Sequence, residues 1–83
     1  MKIRLRYFAS VREVLETGSE VFDCNATTVG ELRDALVARG GAYAQVLARG
    51  RSLRAALNQT LADDATVLSE DCEVAFFPPV TGG

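Results

Sequence analysis

The chain has 83 residues, 48% of them hydrophobic and 24% charged, with 9 basic side chains against 11 acidic ones and no histidine. That length makes one small domain, which buries roughly 60–65% of its unfolded surface and so has a modest core, and the hydrophobic content argues against intrinsic disorder. Near-balanced charge and arginines scattered along the chain give no reason to expect nucleic acid; no apolar run approaches the roughly 20 residues that cross a bilayer.

From the N-terminus, Lys2 to Phe8 alternates strictly. Ile3, Leu5 and Tyr7 fall on one face of a strand, and Lys2, Arg4, Arg6 and Phe8 on the other. A signal peptide would need a continuous apolar stretch here instead, so the sequence reads as cytoplasmic. Ser10-Val11-Arg12-Glu13 fits a capping box, Val11, Val14 and Leu15 recur at helical spacing, and Gly18 supplies a stop, which predicts a helix of about two turns. Glu20 to Cys24 predicts a second short strand, with strand formers at Val21 and Phe22.

Thr28-Val29-Gly30-Glu31 is another capping box and opens the longest helix, about residues 29–39. Val29, Leu32 and Leu36 form its buried stripe, and Glu31, Arg33 and Asp34 are expected to face water. Arg39 suits the last turn, where a cation meets the negative end of the helix dipole. Gly40-Gly41 ends the helix, and Tyr43, Val46 and Leu47 predict a further helical turn closed by Gly50. Leu53, Ala55 and Leu57 alternate as a third strand. Asn58-Gln59-Thr60 is a turn, Leu61-Ala62 a candidate short strand, Asp63-Asp64 a second turn, and Thr66 to Leu68 is extended or a brief 3₁₀ turn. Cys72 to Phe77 is the last strand, with Val74 and Phe76 on one face and Ala75 and Phe77 on the other. Pro78-Pro79 must end it, because proline has no N–H for a central ladder.

A strand, short helix, strand, long helix, then three more strands make an α+β arrangement of the β-grasp type, a mixed sheet packed on one main helix. The first and last strands should lie side by side at the centre, where their hydrophobicity suits them. Another small α+β roll is the runner-up. The domain spans 1–77, followed by an extended tail over 78–83.

Several chemistries are excluded. Cys24 and Cys72 lie far apart, belong to no CxxC pair, and read as reduced, small apolar side chains. Zinc needs about four nitrogen or sulfur ligands, so no metal is expected. With no histidine, neither a Ser-His nor a Cys-His pair is available.

The tail carries the chemistry. Pro78 and Pro79 set a stiff, extended exit from the sheet. Pro78-Pro79-Val80-Thr81-Gly82-Gly83, fully extended, reaches about 20 Å, enough to enter another protein's active site. A backbone that threads a narrow channel cannot carry a Cβ, and Gly82 and Gly83 have none. The α-carboxylate of Gly83, with a pKa of roughly 3.5, is ionised at neutral pH and can attack the α-phosphate of a nucleotide. The resulting acyl-adenylate can exchange AMP for sulfur and become a thiocarboxylate, with no catalytic side chain on this chain.

Phe76-Phe77-Pro78-Pro79-Val80-Thr81-Gly82-Gly83 resembles the C-terminal signature of the MoaD family, the ubiquitin-like small subunits of molybdopterin synthase. Tyr7-Phe8-Ala9 followed by Val11-Arg12-Glu13, Thr28-Val29, and Leu57-Asn58-Gln59 agree, so the likeness covers the whole chain. The resemblance implies a sulfur carrier that binds no cofactor itself. A MoeB-like activating enzyme uses ATP to adenylate Gly83, and a sulfur relay makes the thiocarboxylate. The tail then enters a MoaE-like large subunit, where sulfur goes to cyclic pyranopterin monophosphate; the assembled synthase resembles a heterotetramer. Asp71-Cys72-Glu73-Val74 departs from the family's Gly-Asp-Glu-Val: Asp71 stands where a glycine would ease a positive φ, which aspartate tolerates better than most residues.

Phe8 and Phe77, with Leu61 beside them, are expected on the sheet face away from the helix, where alternation calls for polar residues. An apolar patch there marks a partner surface, with Arg12 at its rim. Two other readings use the same tail: a protein modifier or interaction module conjugated through Gly83, and a thiamine-type sulfur carrier, whose chains are usually shorter and lack the Pro-Pro.

Overall fold

The computed structural model of the protein describes residues 1–48, 50 and 52–79. Among these, the elements in chain order are β1 (Lys2–Tyr7), α1 (Ala9–Leu15), β2 (Ser19–Asp23), α2 (Val29–Val37), α3 (Gly41–Leu47), β3 (Arg54–Leu57), β4 (Thr60–Ala62) and β5 (Glu73–Phe77). The strands form one mixed sheet in the order β2-β1-β5-β3-β4. As the hydrophobic pattern requires, β1 and β5 lie side by side in the middle and run parallel, with Leu5 opposite Val74 and Tyr7 opposite Phe76. Their outer neighbours are antiparallel: β2 beside β1 and β3 beside β5.

Period-two alternation decides which side chains are buried. Ile3, Leu5, Tyr7, Val74 and Phe76 are all at most 1% exposed and meet Val11, Val29, Leu32, Leu36 and Leu47 from the helices. Each such side chain contributes roughly 1.5–3 kcal/mol relative to leaving it in water. The opposite face of the sheet carries Arg4, Arg6 and Phe8, all exposed.

Turn chemistry sets the register of β3, β4 and β5. Asn58 and Gln59 have φ of 49° and 70°, the paired left-handed conformation that a two-residue hairpin favours. The hairpin is tied to the start of β5: the Asn58 N–H donates to the Glu73 carbonyl at 2.8 Å, and the Glu73 N–H donates to Asn58 Oδ1 at 2.9 Å. Asp71 has φ 62°, so the left-handed turn before β5 is kept without glycine.

Six expectations need correction. The α1 capping box does not form. Phe8 is the N-cap, in extended backbone, and its carbonyl accepts the Val11 N–H at 3.1 Å, so Ser10 is already inside the helix. The helix stops at a left-handed Glu16, φ 58°, rather than at Gly18. In α2 the Thr28 hydroxyl accepts the Glu31 N–H at 3.2 Å as expected, but the Glu31 carboxylate reaches back to the N–H of Thr27 at 2.8 Å instead of Thr28. Arg33 does not face water: it is 7% exposed, donating from Nε to the Leu47 carbonyl and from Nη2 to the Ala48 carbonyl, both at 2.6 Å. Those carbonyls close α3, which ends at Leu47 with Ala48 as its C-cap, and not at Gly50. Arg39 lies past the end of α2 and pairs with Glu20 at 2.9 Å.

Candidate functional site

Two features meet where β5 ends. The first is the exit of the tail. Pro78 and Pro79 are half-buried, and Pro78 borders a cleft of about 350 Å³ with Ser10 and Val14 of α1, Gln45 and Val46 of α3, and Ser52 and Leu53. The remaining tail residues, Val80, Thr81, Gly82 and Gly83, lie outside the described residues.

The second is the outer face of the sheet. The Phe8 N–H donates to the Phe76 carbonyl at 3.2 Å, extending the β1–β5 ladder by one step and bringing Phe8 alongside Phe77. Phe8 has extended backbone, so its side chain points opposite to Tyr7 and shares the face with Arg6, whose guanidinium lies 5.5 Å from the Phe8 ring centre. One step back along the strands, Ala75 pairs with Ala56 and Ala56 with Leu61. Leu61 is therefore two strands from β5, roughly 10 Å across the sheet. Two alanines make a shallow floor between the phenylalanines and Leu61. Phe8 is 43% exposed and Leu61 65%, while Phe77 is half-buried. The structure thus places three of the four expected contact residues on one face at the root of the tail.

Arg12 is placed differently. It sits one helical turn past Phe8 and lines a cleft with Ala9, Glu13, Glu16, Thr17 and Gly18, which none of the other three residues borders. A side chain at Gly18 would meet the Arg12 guanidinium, so the small residue leaves room for it.

Alternation and spacing did not reveal a polar cluster on the inner face. Glu20 on β2 stands opposite Leu5 and accepts from Tyr43 Oη at 2.6 Å, Tyr7 Oη at 2.8 Å and Arg39 Nη1 at 2.9 Å. The Arg39 guanidinium also lies over the rings of Tyr43, at 4.0 Å, and Phe22, at 5.1 Å. Partial burial opposes ionisation of Glu20, but the hydrogen bonds from Tyr43, Arg39 and Tyr7 prevail and hold its carboxyl below the usual range. Burial, followed by the Glu20 carboxylate, pushes the Tyr7 phenol well above its ordinary value. The cluster ties β2 to the α2–α3 junction. Its position, two residues before the inward-facing Phe22, is the signal that could have found it.

Cys72 is buried and Cys24 half-buried, both as free thiols. Among the described residues no group of three His, Cys, Asp or Glu side chains is placed to hold a metal ion, and no helix is long and apolar enough to cross a membrane.

Known proteins resemble this chain in sequence and fold. The ThiS family model matches residues 5–83. The molybdopterin synthase sulfur carrier subunit of Escherichia coli is 42% identical over 98% of this chain and 99% of its own length. The small archaeal modifier protein 1 of Haloferax volcanii superposes with a TM-score of 0.78 at 26% identity, over 95% of this chain and 98% of that one. A chain from the complex of subunits 1 and 2 of the Helicobacter pylori molybdopterin-converting factor superposes at 0.65 with 28% identity, over the full length of both. The chain belongs to the ThiS family, among the sulfur carrier subunits of molybdopterin synthase.

Proposed function

We propose that this protein carries sulfur on the carboxyl group of Gly83 for the synthesis of molybdopterin. The observation that supports the reading most is the juxtaposition at the end of β5: an apolar patch of exposed Phe8 and Leu61 with half-buried Phe77 lies at the root of a Pro-Pro-Val-Thr-Gly-Gly tail. A partner that holds the patch receives the tail. Because the tail reaches about 20 Å, the reacting carboxylate is delivered well away from this domain, into a pocket that the partner supplies.

Two partners use this face in turn. A MoeB-like adenylyltransferase binds ATP, and the Gly83 carboxylate attacks the α-phosphate, releasing pyrophosphate. A sulfur donor then displaces AMP to leave the thiocarboxylate. The large subunit next admits the tail, and the sulfur passes to cyclic pyranopterin monophosphate. The two-subunit assembly in which the Helicobacter pylori relative was solved supports a large-subunit partner. We place these steps in the cytoplasm, where ATP is available. On its own the protein is a carrier, not an enzyme; in the assembled synthase it is the sulfur-donating subunit.

Reconstitution tests the reading. Carrier, activating enzyme, ATP, a sulfide source and large subunit should convert cyclic pyranopterin monophosphate to molybdopterin, and the carrier lacking Gly83 should give none. Product formed without Gly83 would refute the assignment. A second reading, conjugation through Gly83 to lysines of other proteins, is favoured by the likeness to the archaeal modifier. It predicts high-mass conjugates of this chain when activating enzyme and ATP are present, absent when Gly83 is deleted.

A further inference from the structure

The arginines scattered along the sequence are gathered by the fold. On the outer face of the sheet, alternation places Lys2, Arg4 and Arg6 from β1 and Arg54 from β3, all exposed. The acidic side chains of the strands on this face are Asp23 and Glu73. Within the strands four cations meet two anions, although the whole chain has a formal net charge of −2; beyond the strand ends Glu70 accepts from the Lys2 N–H at 2.7 Å, and Asp63 and Asp64 share a cleft with Arg54. Asp23 is further occupied by the N-terminal ammonium, at 3.2 Å. Glu73 faces Arg6 at 3.8 Å. Asp63, the next residue after β4, accepts at Oδ1 from the Ala65 N–H and the Thr66 hydroxyl and keeps its charge.

The position of two of these cations matters more than their number. Arg54 stands directly opposite Phe77 in the β3–β5 register, and Arg6 lies over the Phe8 ring at 5.5 Å. The two phenylalanines are therefore flanked by guanidinium groups, Arg6 beside Phe8 and Arg54 on β3 between Phe77 and the β4 strand that carries Leu61. A guanidinium is weakly hydrated, stacks on aromatic rings and matches a carboxylate with two parallel hydrogen bonds. Apolar side chains between the charges call for an apolar counterpart, which favours a protein surface over a nucleic acid backbone.

We infer that Arg6 and Arg54 select the partner of this face: a protein surface with an apolar centre flanked by Asp or Glu carboxylates. The inference rests on the docking face proposed above and adds the charge that its partner must carry. Rim charges act chiefly on the rate of encounter and on its salt dependence, because they steer the two surfaces before contact.

The test measures association of the full chain with the large subunit of molybdopterin synthase by stopped-flow, at about 20 mM and about 300 mM salt, where the screening length falls from roughly 20 Å to below 8 Å. Arg54→Glu and Arg6→Gln should slow association by about tenfold and threefold at low salt, and the difference from wild type should largely vanish at high salt. Ala38→Glu, which adds the same sign of charge at the exposed end of α2, should stay close to wild type. Phe8→Ala and Phe77→Ala separate the two levels of the argument. If they weaken binding while both arginine variants keep the wild-type rate and salt slope, the charge selection is wrong and the docking face stands. If the phenylalanine variants bind as wild type, the docking face itself is wrong. Preferential capture of a uridine oligonucleotide over the large subunit would overturn the choice of a protein partner.

Discussion

The guanidinium of Arg33, in the middle of α2, donates from Nε to the carbonyl oxygen of Leu47, the last residue of α3, at 2.6 Å. A second bond to Ala48 makes it a cap for α3 supplied by a neighbouring helix. Helix C-termini leave carbonyls without intrahelical partners, and burying them unpaired is costly. Arg33→Met keeps much of the stem but leaves both acceptors bare. We expect a loss of about 3 kcal/mol in urea unfolding, from two hydrogen bonds to a charged donor at about 1.5 kcal/mol each. A change below about 0.5 kcal/mol, the range of ordinary surface substitutions, would mean the cap is dispensable.

Glu20 predicts an acid-sensitive fold. Its folded pKa lies below its ordinary value of 4.5, so the unfolded chain binds the proton more readily. The stability it contributes is therefore fully present above that ordinary value and is lost as pH falls through the folded one. The wild-type melting temperature should fall steeply below about pH 4.5, and Glu20→Gln should show a shallower decline from a lower neutral-pH starting point. Some acid sensitivity should persist in the variant, because the backbone and side chain of Thr27 hold Glu31 low as well. Parallel curves for the two proteins would remove Glu20 as the cause.

Gly82→Ile tests the tail as a threading backbone. The isoleucine puts a branched Cβ where a narrow channel admits backbone alone. Adenylation by the activating enzyme should fall by at least about tenfold while the melting temperature stays within a degree or so of wild type, as surface substitutions usually do. A large drop in melting temperature with normal adenylation would give Gly82 a structural role instead.

Phe77→Ala should weaken binding to the large subunit by at least about tenfold in calorimetric titration, as truncation of a central aromatic anchor does. Arg12→Ala should cost less, since Arg12 lines its own cleft beside Gly18, apart from Phe8, Phe77 and Leu61. Equal losses for the two variants would place Arg12 at the centre of the interface.

The parts of this fold that were legible in the sequence are those where one side chain type answers one local rule. Ile3, Leu5 and Tyr7 alternate into the core, Asn58-Gln59 turns the chain, and Pro78-Pro79 stops the last strand. The parts that were missed are those where a polar residue occupies a buried position because a distant element satisfies it. Arg33 falls four residues after Val29 and three before Leu36, on the buried stripe itself. Its charge argues for water, and only the carbonyl ends of α3 reverse that. Glu20 needs Tyr7, Tyr43 and Arg39 from three other segments, which no local pattern brings together. The placement of the outer-face arginines is of the same kind: Arg6 and Arg54 are far apart in sequence, and only the β1–β5–β3 order makes them flank the two phenylalanines.

The claim that everything rests on is the chemistry of one carboxyl group. Intact-mass spectrometry of the full chain, purified from cells that also make the activating enzyme and its sulfur donor, tests it most directly. The account predicts a species heavier by the difference between one sulfur and one oxygen, with fragmentation placing the change on Gly83, and no such species when the activating enzyme is absent. An unmodified C-terminus under both conditions, with activating enzyme and ATP shown to be active on a known carrier, would contradict it.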